Sequence, residues 1–343
     1  MSKTRLGVSA QRTGFLACVG GLALVAMACS AGGAPSQPTA APAAAAGAPA
    51  SQAASTPRLK IAMITHQAPG DTFWDIVRKG ADTAAAKDNV ELVYSNDPEA
   101  AKQSTLVQNA IDSKVNGIAI TLSKPDALTG AVQNATNAKI PVVAFNSGLD
   151  AWSQTGAMMY FGQDENLAGQ TAGQRLSQEG LKHVLCVVQE QGHVALEARC
   201  AGVKSGLSGG QTENLYVTGT NMPSVRSTIA AKLQSDSSID SVITLGAPFA
   251  LTAVTSVKDA SSKAKVYTFD TNAELVNAIK SGDVQWAIDQ QPYLQGYLAV
   301  DSLWLYLTNG DVIGGGKTVL TGPSFITKDN IEAIAQYASK GTR

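Results

Sequence analysis

Beyond about residue 57 the chain alternates between two hydrophobic patterns. Short runs dominated by Ile, Val, Leu and Ala read as strands at Leu59–Thr65, Val90–Tyr94, Gly117–Leu122 and Pro141–Phe145. Between them, apolar residues recur every three or four positions, the spacing of amphipathic helices, over about Phe73–Lys87, Pro98–Ser113 and Pro125–Asn137. A second series follows, with strands near His183–Gln189, Leu215–Thr218, Ser241–Leu245 and Lys265–Phe269. Its helices fall near Ala195–Gly206, Pro223–Gln234, Pro248–Asp259 and Ala273–Lys280. Alternation on this spacing predicts parallel strands joined by crossover helices, which right-handed connections place on both faces of the sheet. Two such series predict an α/β protein of two doubly wound parallel-sheet domains, with an eight-fold β/α barrel as the runner-up. The chain is expected to cross between domains near Gln163–Asp164 and again near Gln290–Tyr293. That divides it into one lobe of residues 58–163 with 292–321 and another of 164–291 with part of 322–343.

The first 57 residues follow other rules. Lys3, Arg5 and Arg12 precede an apolar run from Gly14 to Met27, and small residues follow. A basic start, an apolar centre and a small-residue end are the pattern of a secretory signal, here residues 1–28. The run is short and Gly-rich for a membrane span. Ala28-Cys29-Ser30 resembles the lipobox of bacterial lipoproteins, which implies acylation of Cys29; Ala26 stands where that pattern usually has Leu, and Ala26-Met27-Ala28 also fits ordinary cleavage. Residues 29–57 are almost all Ala, Pro, Gly, Ser, Gln and Thr, a composition that cannot bury enough apolar surface to offset the entropy of ordering. They read as a disordered tether. The expectation is an exported, cell-envelope protein held to the membrane by its lipid anchor only.

Composition mainly excludes. The formal charge of the 343-residue chain is −1, and three of its basic residues lie in the signal. No basic run or basic–aromatic stripe offers a nucleic-acid surface. No G-x-G-x-x-G follows a strand. The Gly314-Gly315-Gly316-Lys317-Thr318 run has Asp311 where a phosphate-binding loop requires its first Gly, and it precedes a strand-like run. The three histidines, His66, His183 and His193, fall in no H-E-x-x-H, and there is no C-x-x-C and no G-x-S-x-G elbow. The reading is therefore a protein without enzymatic activity, metal or cofactor. Of four cysteines, Cys18 leaves with the signal and Cys29 is the lipidation candidate. Cys186 in a strand and Cys200 in the next helix remain, and both a disulfide and two buried thiols are open.

The loop Thr65-His66-Gln67-Ala68-Pro69-Gly70-Asp71-Thr72-Phe73-Trp74 carries the candidate chemistry. It follows a strand, so it lies at a carboxyl strand end, where open α/β sheets bind ligands. It delivers a carboxylate, Asp71, and two aromatics, Phe73 and Trp74, to a helix start. Flat rings beside hydrogen-bonding groups suit a ligand with apolar C–H faces and a hydroxyl rim, a sugar or polyol. The competing reading makes Phe73 and Trp74 core anchors.

With these elements placed, residues Arg58 to about Thr321 resemble the type I periplasmic sugar-binding proteins of the ribose- and galactose-binding group. The resemblance rests on Ile61-Ala62-Met63-Ile64 with Asp71-Thr72-Phe73-Trp74, on Pro141 to Ser147, on Gly192 to Gly202, and on Thr268 to Asn272 followed by Ala287 to Tyr293. It implies two Rossmann-like lobes joined by a multi-strand hinge, the periplasmic-binding-protein type I fold. It also implies a monomeric substrate-binding lipoprotein that delivers a monosaccharide or polyol to ABC permease subunits. By the same resemblance Asp71, Phe73 and Trp74 bind and stack on the sugar from the first lobe, and Asn146 matches the polar group ending the fourth strand. Arg199, Asp270 and Gln290 supply the second lobe's contacts. Three departures stand out: Asn146-Ser147 replaces Asp-Arg, Gly246 replaces an Asn, and no ring falls near Asn221. His66, Gln67, Asn221 and Trp152 are the substitutes considered, with His66 and Asn221 taken as site residues. On local pattern alone, Asp270 also reads as a helix cap, Arg199 as a solvated charge, and Asn146 and Gln290 as turn residues. A ligand receptor for a chemoreceptor or sensor kinase is the alternative function, and an exported glycosidase a weaker one.

Overall fold

The computed structural model describes residues 57–343. The expected signal, Cys29 and the tether lie outside the described residues. Among the described residues no helix is long and apolar enough to cross a membrane.

Two open six-stranded sheets replace the barrel alternative. The first is built from β1 (Lys60–Thr65), β2 (Glu91–Asn96), β3 (Gly117–Ile120), β4 (Val142–Phe145), β5 (Tyr160–Gln163) and β11 (Thr318–Gly322), in the order β11-β5-β4-β3-β1-β2. The second is built from β6 (His183–Val188), β7 (Gln211–Tyr216), β8 (Ser241–Thr244), β9 (Lys265–Phe269), β10 (Val284–Asp289) and β12 (Ser324–Thr327), in the order β12-β10-β9-β8-β6-β7. The two orders follow the same rule, so each lobe repeats the other's winding. All pairings are parallel except β12, which runs antiparallel to β10. A barrel would need its edges to meet; here β2 and β7 remain edges. Over most of their length both alternate exposed and part-buried residues, as one-sided burial requires. The second lobe's edge strand therefore starts earlier than the apolar run at Leu215–Thr218 predicts.

The central strands are buried on both faces, which is why they read as continuous apolar runs. In the first lobe Ile61, Met63, Phe145 and Phe161 pack beneath α1 (Phe73–Lys87) and α10 (Pro292–Asn309). Ile64, Ile118 and Ile120 pack on the opposite face with Val107, Leu128 and Val132 from α2 (Ala100–Asp112) and α3 (Pro125–Asn137). Each such buried side chain stabilises the fold by roughly 1.5–3 kcal/mol. Helices α1 and α10 touch backbone to backbone: a Cβ on Gly80 would lie 1.9 Å from Tyr293 O, and one on Gly296 would lie 1.9 Å from Val77 O. In the second lobe α5 (Glu165–Gln178) and α6 (Val194–Gly206) meet in the same way, with Gly202 against Asn166 O. Opposite them, α7 (Met222–Ser235), α8 (Ala247–Asp259) and α9 (Ala273–Ser281) cover the other face, and α11 (Ile331–Ala338) packs on α9.

The chain passes from one sheet to the other three times: from β5 into α5, from β10 into α10, and from β11 into β12. Cys186 of β6 and Cys200 of α6 are disulfide-bonded, with Cα atoms 5.9 Å apart.

Candidate functional site

The carboxyl ends of both sheets face a shared cavity of about 890 Å³. Eight of the nine ligand-site residues expected from sequence line it: His66, Asp71, Phe73, Trp74, Asn146, Arg199, Asp270 and Gln290. Asn221 does not. Its side chain caps α7, accepting from Ser224 N at 3.1 Å, and its neighbours Thr220 and Met222 line the cavity instead. The other two substitutes considered also lie elsewhere. Trp152 packs against the first lobe's core, and Gln67 Oε1 accepts from the Tyr94 hydroxyl at 2.7 Å.

On the first-lobe side, Asp71 Oδ1 accepts from Phe73 N at 3.1 Å, which ties the carboxylate to the start of α1. Burial pushes its pKa up to about 6, against the opposing pull of hydrogen bonds from Phe73 and Trp74. Phe73 and Trp74 meet edge to face, centroids 5.2 Å apart. Trp74 is only 3% exposed, so much of this ring is core, whereas Phe73 is half-buried at the cavity.

Asn146 and Asp270 occupy equivalent places, one residue beyond β4 and β9, and both have left-handed backbones, φ 65° and 64°. Each strand thus ends by turning a polar side chain into the cavity, a strained conformation of the kind found where a binding site is shaped. Asn146 Nδ2 donates to Gln290 Oε1 at 3.3 Å and to Gln295 Oε1 at 3.1 Å, and Gln290 Nε2 donates to Asp270 Oδ1 at 2.7 Å. An amide relay therefore joins the two equivalent positions through the β10–α10 crossing. Asp270 is not the cap of α9; Asn272 is, accepting from Leu275 N. Burial raises the Asp270 pKa to about 7, with Arg199 and Gln290 pulling the other way.

Arg199 is 3% exposed and so is no solvated charge. Its Nε and Nη2 donate to Glu165 Oε2 and Oε1 at 2.6 and 2.9 Å, a bidentate fork, and Nη1 donates to Leu245 O at 3.1 Å. Asp270 Oδ2 lies 3.7 Å from Nη1, and the guanidinium sits 4.8 Å from the Phe269 centroid. Glu165 was missed in the sequence because an acid at the start of a helix reads as a favourable dipole contact.

His193, also missed, forms the main contact across the cleft. His66 Nε2 and His193 Nε2 are 2.8 Å apart. His193 Nδ1 accepts from Ala195 N, so its single proton sits on Nε2 and is donated to His66 Nε2. His66 must then carry its proton on Nδ1, 2.7 Å from Thr121 Oγ1. Burial, followed by the charges nearby, holds both rings neutral: His66 falls well below 6.5 and His193 falls to about 3. Two further contacts join the loop of His193 to the β3–α3 loop of the first lobe, Val194 N to Ser123 O at 3.1 Å and Lys124 Nζ to Glu190 Oε1 at 3.0 Å.

Lys124 is paired with Glu190 and Arg199 with Glu165, leaving Asp71, Glu99 and Asp270 as the cavity's carboxyls without a tight cationic partner among the described residues. Such a surface disfavours anions and suits a neutral ligand rich in hydroxyl donors. Away from the cleft, His183, Glu213 and Asp236 bring ligand-type atoms together, but Lys232 Nζ lies 2.8 Å from Glu213 Oε2 and 3.9 Å from Asp236 Oδ2. That cluster is an ion-paired surface.

Two doubly wound lobes with a polar cavity between their strand ends define a bilobal solute-binding protein of type I. The periplasmic binding protein domain family matches residues 61–311, and the chain belongs to that family. It is 61% identical to a carbohydrate transporter from Acidothermus cellulolyticus 11B solved in complex with myo-inositol, covering 84% of this chain and 100% of that one with a TM-score of 0.83. An ABC transporter solute binding protein from Agrobacterium vitis with bound D-fucose is 26% identical, covers 81% of this chain and 99% of that one, and superposes with a TM-score of 0.74. The xylose/arabinose-binding protein XylF of Sulfolobus acidocaldarius is 27% identical over 253 residues, which are 68% of this chain and 63% of that protein.

Proposed function

We propose that this protein is the substrate-binding lipoprotein of an ABC importer, anchored through Cys29, and that it takes a simple sugar or cyclic polyol between its lobes. The observation that carries this reading is the convergence of Asp71, Phe73 and Trp74 from one lobe with Asp270 and Arg199 from the other on one cavity. The rings present apolar faces to C–H groups, and the carboxyls accept from hydroxyls. Arg199 Nη1 shares its protons between Leu245 O and a ligand oxygen. The similarity to a protein solved with myo-inositol supports a cyclitol or a hexose-sized ring.

Residues 58–163 with 292–321 act as one body and 164–291 with 322–343 as the other, and the three crossings serve as the hinge. A ligand that touches both lobes is bound fully only when they are closed, so it shifts the population toward the closed form. That form, as a monomer, is what the permease receives. A thermal-shift and calorimetric screen of myo-inositol, other inositols, pentoses, hexoses and alditols tests the reading. At least one of them raises the melting temperature and binds at micromolar concentration or tighter; no response across the panel rejects it.

A further inference from the structure

Among the described residues three buried polar atoms of the cavity lining have no hydrogen-bond partner; Glu190 Oε1 is ion-paired with Lys124 at 3.0 Å, and the other two have neither kind of partner. Thr271 Oγ1 and Gln189 Oε1 are both buried, both belong to cavity-lining residues, and neither has a hydrogen-bond partner. Thr271 is 4% exposed. A buried polar atom with no partner is destabilising, and native proteins keep few of them.

Their placement is not accidental to the fold. Gln189 follows β6 and Thr271 follows Asp270 at the end of β9, while β8 runs between these two strands. At the end of β8 stands Gly246, which has no side chain. A Cβ there would lie 3.7 Å from Gln189 Nε2 and 3.4 Å from the Phe249 ring. The Gln189 amide therefore lies beside the space that a larger residue at 246 would fill. Its Nε2 makes only a 3.5 Å contact to Leu245 O, and its backbone carbonyl is fixed by Gly219 N at 3.0 Å. Turning the amide over would exchange its ends, and one hydrogen-bonding end would still be free.

We propose that Gln189 and Thr271 are specificity-determining residues that recognise hydroxyl groups of the ligand on its second-lobe side. Gln189 accepts from a ligand hydroxyl across the gap at Gly246, and Thr271 exchanges a hydrogen bond with the same or a neighbouring hydroxyl. The inference rests on the reading of the cavity as a sugar or polyol site. It adds that one part of the ring must carry a free hydroxyl, because a site built to hydrogen-bond a hydroxyl rejects the analogue that lacks it.

The test measures Kd by calorimetry for myo-inositol, with D-xylose in parallel, against wild type, Gln189→Leu, Thr271→Val and the hydroxyl-retaining Thr271→Ser. Asp270→Asn serves as the control for the site itself. Gln189→Leu and Thr271→Val each weaken the sugar or polyol that wild type binds by about tenfold or more. Thr271→Ser keeps most of the affinity, and the unliganded melting temperatures stay near wild type. Monodeoxyfluoro inositols, which cannot donate at the substituted position, supply a second measurement that needs no variant. One position loses affinity against wild type and loses little further against Gln189→Leu. If both variants bind within twofold of wild type while Asp270→Asn loses binding, this inference falls and the site reading stands. If wild type binds neither probe, the variants are compared on the panel member that wild type binds best, and if it binds none of the panel both fall together. Should either variant fail to fold, the fluoro series on wild type decides: uniform tolerance at every position overturns the assignment.

Discussion

His66 Nε2 accepts the proton of His193 Nε2 at 2.8 Å, so one hydrogen bond between two neutral rings links loops of different lobes. The link has room for one proton. Protonating His66 would place two N–H groups face to face, and protonating His193 at Nδ1 would evict the Ala195 N–H that it accepts.

A pH dependence follows, with a defined sign. When the rings are exposed they titrate near 6.5, whereas in the paired state His66 lies well below that and His193 near 3. A depressed folded-state pKa gives stability that is whole above pH 6.5 and drains as pH falls toward 3. Lys124 and Arg199, the cations nearest the pair, push in the same direction. Asp71, Glu190 and Asp270 also line this cavity, so the histidine contribution is read as a difference between variants. His193→Gln is expected to be less stable than wild type by about 1 kcal/mol at pH 7.5. By pH 4.5 the gap narrows or closes in calorimetric melting. A gap that is constant with pH contradicts the pairing.

Glu165 holds the Arg199 fork at 2.6 and 2.9 Å with both side chains almost fully buried. Glu165→Gln breaks the bidentate fork and leaves the buried guanidinium only Asp270, 3.7 Å away, a loss of about 3 kcal/mol for a broken buried pair. Denaturant unfolding should show it directly, and affinity should fall too because Arg199 loses its anchor. An unfolding free energy within 1 kcal/mol of wild type would show that the fork is not holding Arg199.

The two aromatics of the first loop differ in what they do. Trp74 is 3% exposed and contacts His66 edge-on at 4.8 Å, so Trp74→Ala opens a core cavity and costs about 3–5 kcal/mol of stability. Phe73 is half-buried against the cavity, so Phe73→Ala loses ligand affinity by about 1–2 kcal/mol with a smaller loss of stability. Paired melting and binding measurements separate the two. Equal effects of both variants on both readouts would contradict the distinction.

Asp270 is held near pKa 7 by burial. A carboxyl whose folded pKa is raised above its ordinary 3.8 favours the fold at low pH and loses that advantage as pH rises through 7. Asp270→Asn removes the charged form, so its unliganded melting temperature rises relative to wild type between pH 5 and pH 8. Ligand affinity should fall at least tenfold at both values, since the amide offers one acceptor and an N–H where the ligand needs an acceptor.

The winding of the two lobes was legible in the chain because the central strands are buried on both faces. Runs such as Ile61-Ala62-Met63-Ile64 and Val184 to Val188 then have no polar face to hide them. Four-residue β5 escaped notice because Gly162 and Gln163 interrupt it, and the start of β7 was placed too late because its first residues are polar at a sheet edge. Helix α5 was missed for a similar reason. Its buried side is made of Ala168, Gly169, Ala172 and Gly173, small residues that carry little hydrophobic signal but let it lie against α6.

Of the site, sequence alone determined which carboxylates, rings and amides end the strands, because the end of a parallel strand is a local property. It also placed Arg199 on the helix that enters the cleft. Tertiary structure decided how those groups are used. It joined Arg199 to Glu165, spanned the lobes with His66 and His193, turned Asn221 into a helix cap, and left Thr271 and Gln189 without partners. Each of those outcomes depends on which residues meet after the chain has crossed between lobes three times. A hydrogen-bond partner 127 positions away, as His193 is from His66, leaves no periodicity or spacing in the sequence.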